Sequence, residues 1–245
     1  QLYRAFSAVE FRPEMRRCTH CVTEGDVAGL AGDVRLLDPA KVARFITKHG
    51  TTWGEVADLQ RLTPRALHLA ADRQLPIDRG VVLAKLAAAG WSEWPSPQVD
   101  AVCRFLLAEW GRLLLTTPRP GVSAHRWLSQ TATAATDIAP FLERWQTALS
   151  SRPGPPAIHL AVVLVSSDLR PDYPATVADL FGGVPATDNR ASTSAEQFAE
   201  WLSDPVTEAM LNRAASALAD TPDARRLTLA VERLRRFKTA RTRPR

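Results

Sequence analysis

Two of the chain's three cysteines, Cys18 and Cys21, stand in the run Arg-Arg-Cys-Thr-His-Cys at residues 16–21. C-x-x-C spacing lets two thiolates grip one zinc ion, and in other settings lets a dithiol cycle through a disulfide. A structural zinc site needs four ligands, usually Cys or His. Beyond the pair the chain offers only Cys103 and the histidines at 20, 49, 68, 125 and 159, and these form no second C-x-x-C or paired-histidine motif. His20 lies inside the motif, where its geometry competes with the thiolates. Cys18 and Cys21 therefore read first as structural cysteines that need no cofactor. A structural zinc completed by a distant His49, His68 or Cys103 is the alternative. Redox use comes third, because the thioredoxin-like βαβ pattern that usually carries it is absent. Cys103 falls on the apolar stripe of a long helical segment, where a free cysteine acts as a small buried hydrophobe.

No other catalytic constellation emerges. The chain lacks H-E-x-x-H and G-x-S-x-G, and no phosphate-loop pattern surrounds Gly182-Gly183. Glu55 with Asp58, and Glu196 with Glu200, share helix faces but lack a His partner at di-metal spacing, so they read as solvated faces. His68 and His159 sit in apolar helical segments and read as core or boundary histidines. No catalytic residue is assigned, and the balance leans away from an enzyme.

Binding chemistry has two candidates. Among seven tryptophans, Trp110, Trp127 and Trp145 fit apolar helix faces, whereas Trp53, Trp91 and Trp94 fall at helix ends or in loops. Those three either form an aromatic recognition patch or plug the ends of helix pairs, the second being favoured. At the C-terminus, Leu227, Ala230, Val231, Leu234 and Phe237 fall on one arc of a helical wheel. Arg225, Arg226, Arg233 and Arg236 fall on the opposite arc. The apolar arc must pack on this chain or on a partner. The basic arc could meet phosphates or an acidic protein surface, although a solvated face with a disordered tail is favoured. The formal charge of +5 is local: residues 222–245 hold nine Lys/Arg and two Asp/Glu, leaving 22 basic and 24 acidic residues in the other 221. A broad nucleic-acid footprint is thereby disfavoured.

The elements that must position these residues read as helices. A capping residue followed by proline recurs at Asp38-Pro39, Thr63-Pro64, Ser96-Pro97, Asp204-Pro205 and Thr221-Pro222. The side-chain oxygen satisfies an orphan N–H, and proline at the first helical position forfeits no hydrogen bond. Asp78 starts a further helix that Gly90 closes, and Ser194 with Gln197 reads as a capping box. Helices are predicted near 39–48, 54–61, 64–74, 79–89, 97–115, 123–135, 138–149, 156–166, 195–202, 205–219 and 222–238. Segment 156–166 is also compatible with a buried strand. No alternating strand pairs or hairpin turns appear.

The predicted fold is all-α: an irregular, loosely HEAT-like array of antiparallel helix pairs over 1–166. A Pro/Gly/Ser-rich loop or linker follows at 167–193, then helices over 194–238 packing on the array and a disordered basic tail at 239–245. No apolar run approaches the ~20 residues of a membrane span and no signal-peptide pattern appears, so a cytoplasmic location without membrane contact is expected.

The segments YRAF (3–6), CTHC (18–21), HGTTWGEVADLQRLTPRALHL (49–69), KLAAAGWSEW (85–94) and RFLLAEW (104–110) resemble, in order and spacing, a group of bacterial helical proteins. That group has no assigned activity, so the resemblance implies a helical fold and a bacterial cytoplasmic setting and transfers no catalytic residue. The resulting expectation is a non-enzymatic helical scaffold or interaction module that binds another protein. The alternatives are nucleic-acid association through the Arg-rich C-terminal helix and tail, and an unfamiliar enzyme with a cleft near 167–193.

Overall fold

A computed structural model of the chain describes residues 1–119, 122–135, 137–152, 154–166 and 189–241, with 189–192 as backbone only. Among these residues the fold is all-α, with twelve α-helices, two 3₁₀ turns and no strand. The chain divides into two compact units, Gln1–Leu106 and Leu107–Arg245, and the division falls within one long helix, Ser96–Leu114. The 167–193 interval expected to separate domains is therefore not the boundary between these units; most of it lies outside the described residues.

The N-terminal unit holds α1 (Leu2–Ala5), α2 (Glu24–Ala28), α3 (Pro39–Lys48), α4 (Val56–Ala71), α5 (Arg79–Ala88) and the first half of α6 (Ser96–Leu114). Helices α3, α4 and α5 pack on one another, burying Val42, Phe45, Ile46, Leu59, Leu62, Leu67, Val82, Leu83 and Leu86. Asp38 caps α3 by accepting the Ala40 and Lys41 amides, and Asp78 caps α5 by accepting that of Gly80. Gly90 follows α5 at φ +62°, the left-handed conformation that favours glycine at a helix end.

The helices expected at 54–61 and 64–74 are one helix, α4, running through Pro64. Its start lies at Glu55, whose amide donates to Asp58 Oδ2 at 2.8 Å while the Glu55 side chain accepts from the third helical amide. Asp58 is thus a buried capping group rather than part of a solvated acidic face. Thr63 does not cap; its hydroxyl donates to the Leu59 carbonyl at 2.7 Å. An interior proline costs about 3 kcal/mol. Continuous burial of Leu59, Leu62, Ala66, Leu67 and Leu69 along one face offsets it.

The C-terminal unit adds α7 (Ala124–Ala132), α8 (Ala139–Ser151), α9 (Gly154–Ser166), α10 (Asn189–Ser203), α11 (Pro205–Ala217) and α12 (Ala224–Arg241). Helix α9 is in contact with α7, α8, α11 and α12. In a repeat array each pair meets only its neighbours. Here α9 and α12, distant in sequence, make the most extensive pairing, so this unit is a bundle around α9. Burial of Ala157–Leu164, with only Val162 less covered, explains why this segment also read as a strand: an all-apolar helix has no polar stripe to display its period.

The apolar arc of α12 packs within this chain: Leu227, Ala230, Val231, Leu234 and Phe237 are all buried. Helix α12 extends through Arg241, so the tail expected from 239 begins as helix; residues 242–245 lie outside the described set. Three further caps differ from expectation. Ser96 lies inside α6, and the Thr221 hydroxyl donates to the Leu218 carbonyl instead of capping α12. Helix α10 begins at Asn189, which places Ser194 in its interior. The Gln197 side chain reaches across to α8, accepting the Ile138 amide at 3.0 Å and donating to Asp137 at 2.6 Å. No described helix is long and apolar enough to cross a membrane.

Candidate functional site

The cysteine-bearing segment and the loop after α3 are laced together by backbone bonds. The Cys18 amide donates to the Thr52 carbonyl at 2.8 Å, and the Gly54 amide donates to the Arg16 carbonyl at 2.7 Å. Trp53 anchors this lacing from below: it is 2% exposed, meets Phe45 edge-on at 5.3 Å, and donates its indole N–H to Met15 Sδ at 3.0 Å. Gly54 adopts φ +75°, and a Cβ there would lie 2.7 Å from the Phe45 ring. Only glycine satisfies both the backbone and the packing.

Above this floor lies a cleft of about 630 Å³, within the size range of small-molecule sites. Arg16, Arg17, Cys18, His49, the 50–54 loop, Glu55 and Lys85 contribute to its wall. Lys85, on α5, donates to the His49 carbonyl at 2.6 Å, tying α5 to the end of α3. His49 is 5% exposed, and burial, reinforced by the Lys85 charge, holds its pKa down at about 4. It is therefore a neutral imidazole at pH 7, and its buried Nδ1 makes no hydrogen bond. Glu55 is the one carboxylate in the lining, and Arg12 engages it at 2.8 Å. Arg17 approaches the highly exposed Glu24 at 3.8 Å, a weak surface pair. The wall thus carries three cations against one carboxylate that is already paired.

Cys18 is partly exposed on this wall and Cys21 follows it in a tight turn, with the Cys21 amide donating to the Cys18 carbonyl at 3.0 Å. The His20 amide, then the Cys21 amide and thiol, and finally the Lys48 charge hold the Cys18 thiol below its usual pKa. Both cysteines are free thiols. Among the described residues no group of three or more His, Cys, Asp and Glu gathers to hold a metal, so the pair has neither a third nor a fourth ligand in view. His68, one of the candidates to complete a zinc site, instead shares a hydrogen bond between its Nδ1 and the Tyr3 hydroxyl (2.9 Å) and lies 3.1 Å from the Asp72 carboxylate. Burial raises the Cys103 pKa.

Trp53, Trp91 and Trp94 are 2%, 4% and 8% exposed, so their rings close the interior and present no recognition patch. Trp94 donates to the Ala89 carbonyl at 3.2 Å and meets Phe6 edge-on, sealing the end of α5.

The arginines of α12 divide by role. Arg233 donates to the Leu164 and Val165 carbonyls at 3.1 and 2.7 Å, capping the end of α9. Arg226 pairs with Asp223. Arg225 and Arg236 are exposed. Two further cations of the helix, Arg235 and Lys238, both engage Glu208 of α11. Of the basic arc, Arg233 alone fastens α12 to another helix, while Arg225 and Arg236 stay exposed.

The sequence pointed to Cys18 and to Trp53, but not to the company they keep. Lys85 lies 36 positions from His49, and no spacing rule links them. Comparison with protein-family models, with curated proteins and with solved structures finds no match to this chain.

Proposed function

We propose that the protein is a non-enzymatic helical binding module whose N-terminal cleft receives an anionic group, a carboxylate or phosphate, presented by its partner. The observation that supports this reading is the wall itself: Arg16, Arg17 and Lys85 converge on a concave space whose only carboxylate, Glu55, is neutralised by Arg12. His49 adds a neutral imidazole and no further charge. The cleft supports this site better than the α12 tail supports a nucleic-acid site, because Arg226, Arg233, Arg235 and Lys238 are already engaged within their own unit.

Titration calorimetry with inorganic phosphate and with an acidic peptide tests the proposal. Binding of either probe is expected, weakening as salt rises and falling about tenfold in Arg17→Gln/Lys85→Gln. If neither probe binds, or if that double variant binds as the parent does while retaining its fold by circular dichroism, the cleft reading is wrong.

A further inference from the structure

We propose that Cys18 and Cys21 form a thiol–disulfide exchange site whose substrate class is a low-molecular-weight disulfide such as oxidised glutathione. Three independent features of the segment converge on this. The first is reach. The turn closed by the Cys21 and Val22 amides, which both donate to the Cys18 carbonyl at 3.0 and 2.9 Å, brings the two residues together. A turn closed over four residues keeps its end Cα atoms within about 7 Å, and a disulfide spans about 4.4–6.8 Å between Cα atoms, so closure requires little backbone movement.

The second is asymmetry between the thiols. The His20 and Cys21 amides, and the charge of Lys48, whose ammonium donates to the Cys21 carbonyl at 2.7 Å, lower the Cys18 thiol pKa. These are the groups that stabilise a thiolate, the nucleophilic form. Cys18 lines the cleft and Cys21 does not, which makes Cys18 the attacking sulfur and Cys21 the resolving one. The third is access. Cys18 lies on the wall of the cleft and is partly exposed, held by its amide bond to Thr52.

The chemistry balances in two displacements. The Cys18 thiolate attacks one sulfur of glutathione disulfide; a mixed disulfide forms and one glutathione thiolate leaves. The Cys21 thiol loses its proton to water or buffer, and its thiolate attacks the Cys18 sulfur. The Cys18–Cys21 bond forms and the second glutathione thiolate departs. Two protein thiols are oxidised and one external disulfide is reduced to two thiols. Exchange requires neither βαβ context nor metal. It is also independent of the anion reading, since it does not use Arg16, Arg17 or Lys85.

Full-length protein equilibrated in glutathione buffers of graded redox ratio, then acid-quenched and alkylated, provides the test by peptide mass spectrometry. The expected result is a Cys18–Cys21 disulfide that titrates reversibly with the ratio, while Cys103 remains reduced. Cys21→Ser is expected to accumulate a glutathione adduct on Cys18, and Cys18→Ser to lose most exchange. Iodoacetamide is expected to label Cys18 about tenfold faster than Cys103 at pH 7, with a rate that rises at lower pH than for an unperturbed thiol. Absence of the disulfide at every ratio, or equal labelling of Cys18 and Cys103, overturns the proposal. So does a glutathione adduct in Cys21→Ser that forms no faster than on Cys103.

Discussion

The two units use the same residue types for different purposes. In the C-terminal unit tryptophan builds the core. Trp127, Trp110, Trp145 and Trp201 follow one another at ring separations of 4.9, 5.2 and 5.1 Å, and Phe198 continues the series at 5.7 Å. Three of these indoles donate to identified acceptors: Trp110 to the Phe141 carbonyl, Trp145 to the Pro156 carbonyl, and Trp201 to the Gln146 side chain. In the N-terminal unit Trp53 instead anchors a loop, and the space left above that loop is the cleft. Histidine shows the same contrast. His159 is fully buried on α9, and its Nε2 lies 3.1 and 2.9 Å from the Leu113 and Thr116 carbonyls at the end of α6. His49 is nearly as buried but lies on a wall where a ligand can come. A helical chain acquires a binding site where its large side chains support loops rather than fill the space between helices.

The sharpest break of this contrast is expected from Trp145→Ala, which removes a central ring and leaves a cavity. It should cost about 4 kcal/mol in denaturant unfolding, while probe binding in the N-terminal cleft persists in the folded fraction. Equal loss of cleft affinity would show that the units are not separable in this way.

Next in size is acid. The pKa of His49 is about 4 in the folded chain and about 6.5 unfolded. Between those values the unfolded state takes up a proton that the native state refuses. Stability attributable to His49 is therefore constant above pH 6.5 and is lost as pH falls towards 4, by about 3 kcal/mol at most. His159 shifts in the same direction through burial. Unfolding measured from pH 7 to 4 should show the decline, and His49→Gln should flatten part of it. An unchanged slope in that variant would remove His49 as a cause.

Gly54→Ala should cost about 2 kcal/mol, since it combines a left-handed φ with a 2.7 Å approach to Phe45. It should weaken cleft binding as well, because the loop is the cleft's floor. The smallest expected effects separate the arginines of α12. Arg233→Met should cost about 1 kcal/mol by leaving the Leu164 and Val165 carbonyls without their donor. Arg225→Gln and Arg236→Gln should change stability by less than about 0.5 kcal/mol. A large loss in either exposed arginine would show that the outer arc of α12 has a structural role after all.

Local rules made much of the fold legible. Asp38, Asp78 and Asp204 accept first-turn amides as their positions imply, because a cap depends only on neighbours two or three residues away. The apolar arc of α12 was readable for the same reason. Thr63-Pro64 misled because an interior proline is decided by the burial of α4 as a whole. Ser194 and Gln197 misled because Gln197 caps a different helix, about 60 residues away.

The site was legible only in pieces. Spacing singled out Cys18 and Cys21, and composition singled out the tryptophans, but spacing cannot report that a thiol faces open space while an indole is sealed.

The sequence by itself determined an all-α chain, its principal helices, and which face of α12 is apolar. All of these follow from hydrogen bonds and periodicities spanning a few residues. Tertiary structure alone decided that the chain divides within α6, that Lys85 meets His49, and that Arg16, Arg17 and Lys85 line one cleft. It also decided that Arg233 of the basic arc caps α9 while Arg225 and Arg236 stay exposed. Contacts between distant segments depend on which surfaces are buried together, and burial is a property of the whole packed unit rather than of any window of sequence.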